Sequence, residues 1–178
     1  MAVITAVIPL YKTISHINID YMDDWKRLVE PYARPLFFAH SRMTRGKTLG
    51  VRGMVIEDNR RVLLIEHTYL DGWWLPGGGV DALETTGDAV VRELREEGGI
   101  IALEAPKLLS IHSNERFFPG DHVLLYRIDQ FERTALTSHA EIKNAEFFDF
   151  DKLPLNINQG SLRRIEEVLH GYPADPMW

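Results

Sequence analysis

No cysteine occurs among the 178 residues, so disulfides, thiolate catalysis, iron–sulfur ligation and cysteine-type zinc sites are excluded within this chain. Positive charge is also scarce, with 20 Lys and Arg against 26 Asp and Glu, a net charge of −6. Such a surface repels a phosphate backbone: long nucleic acid is a poor partner, and an anionic ligand needs local cations or a metal. Long hydrophobic runs are missing too. The apolar start, Met1 to Leu10, has no Lys or Arg before it and falls well short of the roughly 20 residues that span a bilayer. A soluble, cytoplasmic protein without membrane partners is expected. Internal repeats and low-complexity runs are absent as well. What remains is 45% hydrophobic and 26% charged, an ordinary globular balance with enough apolar side chains for one core.

Residues 1–45 differ from the rest. They hold an amphipathic segment from Asp23 to Phe38, interrupted by Pro31 and Pro35, and read as an extension that packs on the main domain or on a second copy in a homodimer. From residue 46 the signals sharpen into a single domain, 46–178. Val51 to Ile56 and Val62 to Glu66 form an expected hairpin around Asp58-Asn59-Arg60. A short strand at Trp73 to Leu75 runs into Pro76-Gly77-Gly78-Gly79, where regular structure must stop. A helix is predicted over Thr86 to Glu97, ended by Gly98-Gly99. Further strands are expected at Leu108 to Ser113, Val123 to Ile128 and Glu146 to Phe150, and a last helix at Leu162 to His170. Strands and helices mix without regular βαβ alternation, which predicts an α+β (α/β) sandwich and no doubly wound sheet.

The segment that carries chemistry is Gly78, five residues, Glu84, seven residues, then Arg92-Glu93-Leu94-Arg95-Glu96-Glu97-Gly98-Gly99-Ile100. At about 100° per residue, Glu93, Glu96 and Glu97 share one arc of a helix, while Val90, Val91 and Leu94 supply an adjacent arc to bury. Like charges at this spacing repel by about 0.2–0.5 kcal/mol per pair, which a hard divalent cation such as Mg2+ would turn to use. A solvated helix in which Arg92 pairs with Glu96 is the plain alternative. Against it, the fixed Gly, Glu and Arg positions match by chance less than about once in 10^8 starting points.

These residues resemble the signature of the Nudix hydrolases, Gly-x5-Glu-x7-Arg-Glu-aliphatic-x-Glu-Glu-x-Gly-aliphatic, and every specified position is matched. The similarity extends over residues 46–178, through Trp73-Trp74-Leu75-Pro76-Gly77-Gly78 and Phe147 to Pro154. The resemblance implies an α/β/α sandwich with a mixed sheet and a characteristic loop and helix. It implies Mg2+, with Mn2+ as a substitute, held by Glu93, Glu96, Glu97 and the carbonyl of Gly78. It gives Arg92 the orienting of neighbouring glutamates and Glu84 the support of the loop and helix. Glu97 and Glu141 are the two candidates for general base. Leu83 stands where many members have glycine, which puts the loop's backbone in question.

The implied reaction is hydrolysis of a phosphoanhydride bond in a nucleoside diphosphate linked to another group, a small-molecule substrate. Alternatives are pyrophosphate removal from a nucleoside triphosphate or an RNA 5′ end, and a catalytically silent nucleotide sensor. Outside the signature, Arg52 is a candidate to reach a substrate phosphate, and Trp74 a candidate to stack on a base while Trp73 enters the core. Arg42, Arg45 and Lys47 are candidates for no more than added positive field. His112, His122 and His139 are too scattered for a metal motif, and the loop with Phe117 and Phe118 suits a lid or a pairing contact.

Overall fold

The structure, a computed structural model, describes residues 46–138 and 140–178. The expected extension at 1–45 and its role lie outside these residues, as does His139. Lys47 to Trp178 form one compact unit.

Strand β1 (Thr48–Glu57) is the spine. Its residues from Val51 to Ile56 are buried except for half-buried Arg52, the near-continuous apolar pattern of a strand covered on both faces. The hairpin partner β2 (Arg61–His67) follows a turn in which Asp58 and Asn59 take positive φ, a conformation that short polar side chains tolerate. Strand β3 (Trp73–Trp74) adds to β2, and helix α1 (Thr86–Gly98) follows. Then come β4 (Ile100–Ala102), β5 (Lys107–Ser113), β6 (Asp121–Ile128), β7 (Phe131–Arg133), β8 (Ile142–Asp149) and helix α2 (Gln159–His170). The main sheet has the order β3-β2-β1-β6-β5, with β8 also on β2. It is mixed: β1 runs parallel to β6, from Thr48 opposite Asp121 to Val55 opposite Ile128, while the other pairs are antiparallel. The strands β4 and β7, three residues each and paired only with each other, were not foreseen. Runs that short carry no readable alternation.

The two faces of the sheet carry two cores. On one, Val51, Val55, Leu63, Leu124 and Tyr126 meet Ala89, Val90 and Leu94 of α1. Leu94 fills the notch at Gly53, where a Cβ would lie 2.7 Å from its Cδ2; burying such a side chain is worth about 1.5–3 kcal/mol. On the other, Met54, Ile56, Val62, Leu64 and Leu125 meet Ile165 of α2. The result is the expected α/β/α sandwich. Thr85 caps α1 by accepting from the Asp88 N–H, and Asn158 caps α2 by accepting from that of Ser161. No helix among the described residues is long and apolar enough to cross a membrane.

After Gly171 the chain turns back along β5. Ser113 donates its N–H to the Pro176 carbonyl at 2.7 Å, and Trp178 donates to the Ser113 carbonyl at 2.9 Å. Beneath this strap lies fully buried His112, whose Nε2 meets the Ser110 hydroxyl and whose Nδ1 lies 2.6 Å from the Asp175 carbonyl. Burial, reinforced by the nearby Arg164 guanidinium, pushes the His112 pKa below its ordinary value of 6.5. Below pH 6.5 the unfolded chain therefore takes up a proton that the folded chain still refuses, so stability present above that pH is lost as pH falls. The thermal midpoint should drop between pH 7 and pH 5, and His112→Asn should flatten that slope in a scanning calorimeter.

Candidate active site

The site grows from the loop that leaves β3. Residues 75–80 are stitched to the outer edge of β1: Gly53 donates to the Pro76 carbonyl, Val51 to the Gly78 carbonyl and Val80 to that of Leu49, each at 2.9 Å. Gly77 has φ +142, and a Cβ there would collide with the Val51 carbonyl. A Cβ on Gly78 would collide with the carboxylate of Glu93. Two bare positions thus let the helix acids come up against loop backbone.

Arg92 organises those acids. Its Nε and Nη2 donate to the two oxygens of Glu84 at 2.9 and 3.0 Å, a bidentate pair. Its Nη1 donates to Glu93 at 2.7 Å and lies 3.6 Å from Glu96, and Nη2 also reaches the Gly79 carbonyl at 3.1 Å. The Arg92 guanidinium holds the Glu84 carboxyl well below its usual range, at about 2, helped by the Asp81 N–H. Glu84 therefore ties the loop to α1 through Arg92.

The three acids of the shared arc have different surroundings. Glu96 is half-exposed, and Glu93 is mostly covered. Glu97 is buried, accepts the Gly77 N–H at 2.8 Å, and is pushed up to about 7 by burial, with Glu93 and Glu141 adding like charge. Glu93 and Glu96 face Arg92 whereas Glu97 faces the Gly77 N–H, and among the described residues no three carboxylates or imidazoles close on a common point. Among the described residues the Gly78 carbonyl uses one lone pair on the Val51 N–H and keeps the other.

Arg52 projects from β1 under this loop and donates to the carbonyls of Leu75, at 3.1 Å, and Gly77. Burial lowers its pKa, while Glu97 and Glu93 raise it. Its first duty is thus to hold the glycine loop, although it also lines the adjoining cleft. Glu141 stands in the turn before β8, with its carbonyl taking the Thr68 N–H at 2.8 Å; its exposed side chain bears on Glu97 by charge without a bond to it. Trp73 packs edge-on to Phe148 at 4.7 Å in the α2-side core, whereas Trp74 lines the cleft.

Two features escaped the sequence reading. His67 is 6% exposed, with Nδ1 unpartnered among the described residues, near Tyr69 at 5.2 Å and Trp74 at 6.5 Å, in the fields of Arg52 and Glu141. Its signal was a polar residue in alternation with buried Leu63 and Ile65. The second is a cleft of about 620 Å³ whose walls include Arg52, Trp74, Gly79, Phe117, Arg163 and Trp178. Arg163 and Trp178 come from the far end of the domain, a proximity that no local pattern encodes. Leu83, where the backbone was in question, keeps the left-handed conformation that glycine favours, at φ +70, with its side chain fully exposed.

Fold and site define a class: a mixed-sheet α+β protein in which a glycine loop separates a half-open cleft from a carboxylate-bearing helix. A family model described as NUDIX domain matches residues 46–168, and the chain belongs to the Nudix hydrolase family. It is 35% identical over 105 residues to an ADP-ribose pyrophosphatase of Methanocaldococcus jannaschii, covering 56% of this chain and 61% of that protein. It is 32% identical over 133 residues to the nucleoside diphosphate-linked moiety X motif 6 protein of Xenopus laevis, covering 70% and 61%. The match therefore spans less than two thirds of either relative's length. Among solved structures, a MutT NUDIX hydrolase from Burkholderia pseudomallei superposes with a TM-score of 0.60 at 27% identity, over 68% of this chain and 98% of that one.

Two outcomes follow from the loop. Leu83→Gly should stabilise the domain by about 1 kcal/mol in denaturant titrations, since a non-glycine residue costs about that much in the left-handed region. Glu84→Gln frees Arg92 from its bidentate anchor and should lower turnover roughly 100-fold with the fold intact by circular dichroism.

Proposed function

We propose that this chain is a divalent-metal-dependent pyrophosphohydrolase, served by Mg2+ or Mn2+, that cleaves the phosphoanhydride of a nucleoside diphosphate linked to a second group. One observation carries the reading: Gly78 and Gly79 line the aromatic cleft, and Gly78 backs directly onto Glu93. A ligand lying in the cleft therefore brings its phosphates to the acidic helix across a strip of bare backbone.

The donor set fits a hard cation. Glu93, Glu96, Glu97 and the free lone pair of the Gly78 carbonyl are all oxygen donors, and the buried Glu97 carboxyl has a single N–H partner against two like-charged neighbours. A divalent ion bound there neutralises diphosphate charge and makes a bound water more acidic. Water adds across the P–O–P bridge: its oxygen forms a bond to one phosphorus, the bridging oxygen leaves with the other, and two phosphate monoesters result. Glu97 and Glu141 are the two candidates to take the proton from the attacking water. Arg92 keeps Glu93 aimed at the loop, and Arg52 keeps the loop's carbonyls in place.

Glu93→Gln and Glu97→Gln should each lower turnover by about 10^2- to 10^4-fold while the thermal midpoint changes little. Chelation should abolish activity, and Mg2+ should restore it. The assay is phosphate release after phosphatase coupling, over a panel of nucleoside diphosphate derivatives. Parent-like rates in both variants would sink the assignment.

A further inference from the structure

The strap after α2 is held far more firmly than a surface segment needs. Arg164, wholly buried on α2, donates to the Met177 carbonyl at 3.0 Å and to Glu167 at 2.6 Å. Glu167 also takes the Asp175 N–H at 3.0 Å, and the Asp175 carboxylate takes the Met177 N–H at 2.8 Å. Burying a guanidinium is costly unless its donors are used; here Nη1 holds the strap at Met177 and meets His112, and Nη2 holds Glu167, the residue that takes the Asp175 N–H. What the segment gains is one fixed side chain.

That side chain is Trp178. Its indole lies edge-on to His112 at 5.5 Å, with the Arg164 guanidinium 5.7 Å from the ring centre. Its backbone oxygen takes a 2.6 Å bond from Arg163. Buried Gly160 at the start of α2 makes room for it: a Cβ there would collide with the indole nitrogen and lie 2.9 Å from Cδ1. The ring remains half-buried, and it walls the same cleft as Trp74, Phe117 and Phe118. Phe117 and Phe118 are 76% and 55% exposed, although their loop is tied by bonds to the Asn114 carbonyl at 3.0 and 2.9 Å. Aromatic surface left wet along one cleft fits a flat apolar ring laid against it. The family match ends at residue 168, so this wall lies beyond the shared domain.

We propose that the 175–178 strap is a built part of the substrate site and that Trp178 is a specificity-determining residue that stacks on the nucleobase. The proposal rests on the nucleotide reading above, and it assigns the base end of the substrate to the cleft and the diphosphate end to Gly78 and Gly79.

The test is calorimetric titration of the full chain in magnesium buffer with AMP, GMP, CMP and UMP, and with ribose 5-phosphate as the base-free control. Trp178→Ala should raise the Kd of the tightest nucleotide about 5- to 150-fold, the range for loss of one base-stacking side chain, and leave ribose 5-phosphate unchanged. Trp178→Phe should recover most of the loss. Gly160→Ala, which keeps the ring but displaces it, should weaken the same nucleotide and again spare ribose 5-phosphate. The proposal is overturned if no nucleotide binds the parent, if Trp178→Ala binds like the parent, or if ribose 5-phosphate loses as much as the nucleotide. Binding is read without turnover, so the two readings fail separately. A protein with this binding pattern and no hydrolysis loses the enzyme reading and keeps the wall; a fast hydrolase without the pattern loses the wall.

Discussion

The glycine loop's backbone lies flat on the edge of β1, and most of the site depends on that contact. Three 2.9 Å bonds between Leu49 to Gly53 and Pro76 to Val80 set the loop's height above the sheet. At that height Gly77 has no space for a Cβ beside the Val51 carbonyl, and Gly78 has none beside Glu93. The same loop offers its Gly77 N–H to Glu97 and its Gly79 carbonyl to Arg92. A shift of the loop would thus displace both the acids and the edge of the cleft, and steric exclusion leaves little freedom for such a shift.

Electrostatics completes what sterics begins. Four carboxylates, from Glu84, Glu93, Glu96 and Glu97, crowd one loop and helix, and Arg92 touches or nears three of them. The fourth, Glu97, is left to the Gly77 N–H and to the field of Arg52. Compensation is therefore graded: a bidentate partner holds the Glu84 carboxyl down at about 2, whereas burial pushes that of Glu97 up to about 7. Arg52 and Arg92 hold the loop at different carbonyls, the first gripping Leu75 and Gly77, the second Gly79. The two cations fix the backbone between the cleft and the acids.

Much of this was legible in the chain. The hairpin, α1, α2 and the strands later numbered β5, β6 and β8 have patterns long enough to show their period, and the structure moves their ends by only a few residues at most sites. β8 starts four residues earlier than expected, at Ile142, because its first half pairs with β2 across a bulge at Glu66 and His67 that no alternation reveals. The grouping of Glu93, Glu96 and Glu97 was readable because helix geometry is local. Their division into buried, covered and half-exposed acids was not, since it depends on which side of α1 meets the loop.

The sequence by itself determined the chemistry available: oxygen donors at helical spacing, glycines where backbone must come close, an arginine among glutamates, and no cysteine. These are properties of neighbours along the chain, and spacing alone expresses them. Only the tertiary structure decided what those groups face. It turned Arg52 toward the loop's carbonyls, buried His67 beside Trp74, and kept a glycine-like turn at Leu83. It also brought Trp178, a hundred residues beyond the glycine loop, to the wall of the same cleft. Contacts of that separation arise from packing two helices on opposite faces of one sheet, and their physical origin lies in shape and burial that no local pattern records.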